Sequence, residues 1–108
     1  MNNTKERILE ILQRHIIVKD SAIGTTLTGT RRDIVPDTIS LTDSERVVKL
    51  YEESIKAGAQ IITSNTFLSD PLMLRECKVE QTTDEVVAAS LKAAKEARER
   101  CGKEVFIA

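Results

Sequence analysis

The feature that most constrains the fold is a repeated punctuation. Two long amphipathic segments end at glycines, Gly58 and Gly102, and each glycine comes just before a short apolar run, Ala59–Ile62 and Val105–Ala108. Each segment opens on a capping-box pattern, Thr42-Asp43-Ser44-Glu45 and Thr82-Thr83-Asp84-Glu85. In that pattern the Thr hydroxyl and the Glu carboxylate each satisfy a free backbone donor. Val47, Tyr51 and Ile55, with Leu50 beside them, form one apolar face; Val87, Leu91 and Ala94 form the other. A glycine then supplies the left-handed residue that stops the helix. Helices alternating with short apolar runs at near-constant spacing predict parallel strands joined by right-handed crossovers.

Ahead of this repeat, Asn3 reads as the N-cap of a helix from Thr4 to about Arg14, with Ile8, Leu9, Ile11 and Leu12 as its apolar stripe. His15–Val18 is short and β-branched and reads as a buried strand. Residues 24–41 contain Gly24, Gly29 and Pro36 and read as a long loop, a kind of segment that is often functional. Asp70-Pro71 predicts a short helix over Leu72, Met73 and Leu74, with proline at its first position. The expected order is helix, then strand–loop–helix twice, then strand.

Composition narrows the function classes. Of 108 residues, 41% are hydrophobic and 31% charged, as in an ordinary globular domain, and the net charge is −1. Basic residues are interspersed with acids, so no footprint for nucleic acid emerges. No run approaches the ~20 apolar residues of a membrane span. The start of the chain is polar and lacks the apolar core of a signal peptide. Cys77 and Cys101 make no disulfide framework. The cytoplasm is the expected compartment.

Chemistry is expected where apolar runs stop in small polar clusters. Ile16-Ile17-Val18 leads into Lys19-Asp20-Ser21-Ala22-Ile23-Gly24-Thr25, and Ile61-Ile62 leads into Thr63-Ser64-Asn65-Thr66-Phe67. Ligands of parallel α/β folds bind at the carboxyl ends of strands. Each candidate has a plainer reading beside the functional one. Asp20 either contacts ligand or caps the following turn; Asn65 and Thr66 either bind or satisfy loop backbone. Thr25 and His15 read as structural, and Phe67 as core or lid packing. Cys77 and Cys101 read as inert. Arg31-Arg32 is either solvated surface or a pair over the pocket for an anionic group.

Two of these segments carry a resemblance. Asp20-Ser21-Ala22-Ile23-Gly24-Thr25 resembles the Asp-Gly-Ala-Met-Gly-Thr signature of homocysteine S-methyltransferases. Ala57-Gly58-Ala59-Gln60-Ile61-Ile62-Thr63-Ser64-Asn65-Thr66-Phe67 is similar to their Ala-Gly-Ala-Asp-Ile-Ile-Glu-Thr-Asn-Thr-Phe segment. The resemblance runs from Ile16 to the last residue. It differs at Ser21 for Gly, Ile23 for Met, Gln60 for Asp, and Thr63-Ser64 for Glu-Thr, the last removing a carboxylate from the pocket rim.

The resemblance implies an α/β fold of parallel βα units, the N-terminal part of a (β/α)8 TIM barrel with about three strands present and the barrel incomplete. Within 1–108, residues 1–15 are then the N-terminal helix, 16–58 the first βα unit, 59–102 the second, and 103–108 the third strand. The implied reaction is methyl transfer to the thiol of homocysteine, giving methionine. The donor is betaine, S-methylmethionine, or a methylated folate acting through cobalamin; cobalamin or folate requires further domains. The family's zinc is held by three cysteines, in a strand-end Cys and a Gly-Gly-Cys-Cys segment. Neither occurs in these residues, so zinc is expected in a complete parent and not on this chain. The implied substrate pocket uses Asp20 for the ammonium, the turn of Ala22, Gly24 and Thr25 for the carboxylate, and Asn65 and Thr66 to orient the zwitterion.

Two other readings stand beside this one. In the first, the chain is a short non-catalytic α/β module that self-associates through exposed strand edges, because three strands cannot close a barrel. In the second it is an open nucleotide-binding half, although no Gly-x-Gly-x-x-Gly or Walker-type loop follows either strand.

Overall fold

The computed structural model describes residues 3–20, 22–29 and 34–108. Ser21, which stands where the resembled segment has glycine, and the Arg31-Arg32 pair lie outside the described residues. Six α-helices, a 3-10 turn and two short strands follow in order. They are α1 (Thr4–Leu12), α2 (Ile23–Thr28), the turn Pro36–Thr38, α3 (Ile39–Thr42), α4 (Ser44–Lys56), β1 (Ile61–Ile62), α5 (Pro71–Glu76), α6 (Thr83–Cys101) and β2 (Phe106–Ile107).

β1 and β2 pair in parallel, Ile61 with Phe106 and Ile62 with Ile107. On the other side of β1, Lys19 forms an isolated parallel bridge to Ile61. The Val18 carbonyl accepts from the Gln60 and Ile61 amides, and the Asp20 amide donates to the Ile61 carbonyl. Three parallel segments therefore lie side by side in chain order. A long helix, α4 or α6, occupies each crossover. The parallel βα reading holds, but the regular structure is mostly helix, and the expected strands shorten to two residues each in β1 and β2.

The core is the seam between α4 and α6. Val47, Val48, Tyr51 and Ile55 of α4 are buried against Ala93, Ala94 and Ala97 of α6, over Ile62 and Val105. Alanine is the reason the seam closes tightly, since small side chains let two helix backbones approach and fill the space from the larger partner. At the solvent edge of the seam Arg100 pairs with Glu45, Glu52 and Glu96. Arg100 holds the Glu45 carboxyl below its usual range. That network is exposed, so it adds register more than stability.

Helix ends follow the sequence in three places. Asp70 accepts from the Met73 amide, Thr82 accepts from the Glu85 amide, and Gly102 adopts φ +63° at the end of α6. Thr42 does not cap. It is the last residue of α3, and its hydroxyl points back toward the Thr38 carbonyl, leaving Asp43 at the start of α4 without a side-chain cap. Asn3 likewise makes no side-chain cap.

Three further expectations are corrected. His15–Val18 is no buried strand: Ile16 is 87% exposed and Val18 half exposed, because the segment gains a partner on one edge and no described helix covers its face. The apolar stripe of α1 buries no residue; the Arg7–Glu104 ion pair links the helix to the approach to β2. Residues 24–41 are not one loop. Thr26 and Thr28 turn their hydroxyls back onto the Ala22 and Gly24 carbonyls within α2, and Pro36 opens the 3-10 turn.

Two outcomes follow from the seam. Ala94→Leu forces a branched side chain into a fully buried small-residue contact and is expected to cost about 1–3 kcal/mol in denaturant unfolding. Tyr51 is the chain's single tyrosine, and its hydroxyl donates to the Thr63 carbonyl at 2.7 Å. Burial, then the Asp20 charge, pushes its ionisation well above the ordinary range. Its stabilising contribution is therefore whole below the unfolded value of about pH 10 and is lost as pH rises beyond it. Tyrosinate absorbance in the near ultraviolet should appear only with unfolding. Tyr51→Phe should remove that coupling and cost about 1 kcal/mol at neutral pH.

Candidate functional site

The carboxyl ends of the parallel segments open into a cavity of about 500 Å³. Its walls come from three stretches. The first is Lys19, Asp20 and Ala22–Thr25, leading out of the outer segment into α2; the second is Pro36-Asp37, at the 3-10 turn; the third is Thr63–Leu68, leading out of β1. Asp20, Ala22, Gly24, Thr25, Asn65 and Thr66 all line this one cavity. Parallel pairing brings the two clusters together, since co-directional neighbours end on the same side of a sheet.

Asp20 is the joint between them. Its carboxylate accepts from the Thr63 amide and from the Thr63 hydroxyl, each at 3.0 Å, and the side chain is 3% exposed. The threonine thus supplies both a backbone and a side-chain donor to one buried anion. Lys19 Nζ stands 3.5 Å from the same carboxylate, on the solvent side. On the far side of β1, Tyr51 holds the Thr63 carbonyl.

Asn65 is buried and works as a strap. Its amide nitrogen donates to the Pro36 carbonyl at 2.8 Å and to the Ser40 hydroxyl at 3.3 Å. Its backbone carbonyl accepts from Ser90 of α6, whose hydroxyl also reaches Ser40. Both amide protons are committed, so any ligand contact through this side chain falls to Oδ1. Thr66 shares a hydroxyl contact of 2.9 Å with Ser64. Gly24 faces Pro36, where an added Cβ would sit 3.5 Å from the proline ring, an ordinary contact.

Sequence reasoning missed Asp37 and Lys19. Asp37 is buried in the cavity wall, accepting from the Leu68 amide and the Ser69 hydroxyl, while Thr83 at the start of α6 donates to the Ser69 carbonyl. The available signal was an acid directly after Pro36, in a stretch otherwise flanked by Ile34, Val35 and Ile39. Lys19 gave no signal, because a lysine closing an apolar run reads as solvated. Phe67, expected as core or lid, is 94% exposed at the cavity rim, which removes the core reading. His15 is exposed before the outer segment.

The donor chemistry for a metal does not fit the residues present. Among the described residues no group of three His, Cys, Asp or Glu side chains could hold an ion. Cys77 is exposed at the end of α5, and Cys101 closes α6, away from the cavity. No described helix is long and apolar enough to cross a membrane.

A family model described as homocysteine S-methyltransferase matches residues 17–108. A search of curated proteins returns no significant match. The matched span holds the described cavity residues together with β1, β2 and both crossover helices, and the chain belongs to the homocysteine S-methyltransferase family.

Proposed function

We propose that this chain supplies part of the amino-acid pocket of a homocysteine S-methyltransferase-like enzyme, in which the thiol of homocysteine takes up a methyl group to give methionine. The observation that carries the reading is the convergence of both family segments on one cavity at the ends of parallel strands. Three side-by-side segments in chain order, the first two each followed by a crossover helix, support a barrel architecture. In that architecture 1–15 is an opening helix, 16–58 and 59–102 are the first two βα units, and 103–108 begins the third.

In this proposal Ala22, Gly24 and Thr25 present the first backbone N–H groups of α2, which have no partner within the helix, to one end of the substrate. Gly24 keeps that backbone approachable. The Oδ1 of Asn65 is the acceptor for the ammonium, Asp20 is held in the wall beside it by Thr63, and Thr66 adds a hydroxyl. Phe67 offers an apolar edge to the aliphatic part of the ligand. Binding and orientation are what these residues contribute. The methyl donor and the activation of the thiol, by zinc in the family, are assigned to none of them.

Titration of the chain with L-homocysteine, followed by backbone amide resonances, tests the reading. Shifts are expected to gather at residues 20–25 and 63–68. Shifts confined to the α5–α6 corner, or none at all, would refute it.

The second reading, a self-associating module, is favoured by one observation: the described structure leaves the large apolar side chains of Leu9, Leu12, Ile16 and Val18 exposed. Among the described residues β2 pairs with β1 alone, so one edge of each outer segment is open. Sedimentation velocity at micromolar concentration should then find species larger than a monomer. A folded monomer as the single species would remove this reading.

A further inference from the structure

The corner of the cavity at Lys19, Asp20 and Thr63 has a polarity of its own. Asp20 is turned inward, both oxygens accepting from Thr63 and the side chain 3% exposed. A carboxylate held this way has little surface left for a ligand's ammonium. Asp37, the other acid of the wall, is buried and committed to the Leu68 amide and the Ser69 hydroxyl. Lys19 is the opposite case. Its side chain is 58% exposed, and its contact with Asp20, at 3.5 Å, is longer than a well-formed charged hydrogen bond. Its backbone is pinned, because Val18 and Asp20 on either side both bond to the β1 stretch. Only the flexible stem and its three N–H donors are free to re-aim. Among the described residues lining the cavity, Lys19 is therefore the one whose charge remains open to solvent.

We propose that Lys19 is a specificity-determining residue of this pocket: its ammonium pairs with the carboxylate of the amino-acid substrate, and the site selects its ligand by the anionic end rather than by the ammonium. The proposal rests on reading the cavity as an amino-acid pocket. Thr63 supports it from the other side. Where the resembled segment has a glutamate, this chain has a threonine that donates to Asp20 instead of adding a second negative charge. The corner thus holds one buried anion and one exposed cation, an arrangement that receives a carboxylate and gives an ammonium no unspent partner.

Three thiols separate the two ends of the substrate: L-homocysteine, γ-mercaptobutyrate, which lacks the ammonium, and homocysteamine, which lacks the carboxylate. Each is titrated into the full chain and into Lys19→Met and Lys19→Arg variants, with circular dichroism confirming equal helix content. γ-Mercaptobutyrate should bind within about threefold of homocysteine, and homocysteamine about tenfold more weakly, the size expected for one charged hydrogen bond. Lys19→Met should weaken the two carboxylates about tenfold and leave homocysteamine unchanged, while Lys19→Arg keeps the wild-type order. If homocysteine binds but Lys19→Met holds it as tightly, or if homocysteamine outbinds γ-mercaptobutyrate, the role of Lys19 is overturned and the pocket reading survives. If the wild-type chain binds none of the three, the pocket reading fails and takes this inference with it.

Discussion

The bond pair from Thr63 to Asp20 is the constraint on which the site depends. Two segments, far apart in sequence, finish side by side, and something must fix how far each runs before it turns. Backbone pairing alone does this weakly, since the outer segment contributes one bridge at Lys19 and three amide bonds around it. A buried carboxylate demands more. Left unsatisfied it would cost several kcal/mol, so the fold is held to the arrangement that gives it two donors. One residue provides both, and Tyr51 fixes that residue's carbonyl from the helix side. Local chemistry at a strand end thereby sets the register of the whole cavity.

Behind the cavity a second polar layer does comparable positioning. Ser90 lies on α6, Ser40 on α3 and Asn65 after β1, and hydrogen bonds join the three. Asp37 and Ser69 extend the layer toward Thr83. Among the described residues no buried side-chain nitrogen or oxygen lacks a partner. Fully satisfied networks of this kind favour one arrangement of their elements over near alternatives, because any slip strands a polar group in a dry place. The loop leaving β1 is accordingly held from three directions, although its own backbone has little regular structure.

What the sequence made legible was the part governed by periodicity and punctuation. The apolar face of Val47, Tyr51 and Ile55, the stops at Gly58 and Gly102, the caps at Asp70 and Thr82, and the parallel order all depend on local rules. The candidate residues were legible through strand ends and through the two family segments. The rest depended on tertiary context. Thr42 carries a capping pattern yet belongs to a short helix ahead of α4, so the pattern was satisfied by different backbone. Ile16-Ile17-Val18 has strand composition, but composition cannot say that the face stays uncovered. Asp37 and Ser40 are polar residues in a stretch without period, and their burial is decided by Asn65, Ser69 and Ser90, none of them near in sequence.

The consequence for chemistry is that most polar groups around the cavity are already spent on holding it open. Asp20 serves Thr63, both amide protons of Asn65 serve the 36–40 segment, and Asp37 serves the loop that follows Phe67. In the proposed pocket a ligand would meet what is left over: backbone donors at the start of α2, the Asn65 Oδ1, the Phe67 ring and the Lys19 ammonium. On the proposed reading, that division separates the groups that hold the frame from the groups that would select a ligand. On that proposal, changing a spent group would disturb the wall, whereas changing a residual one would alter which ligand end is preferred. In that proposal Lys19 belongs to the second class, since its flanking backbone is bonded to the β1 stretch while its charge is exposed, and recognition would shift at that position without moving the strands that present it.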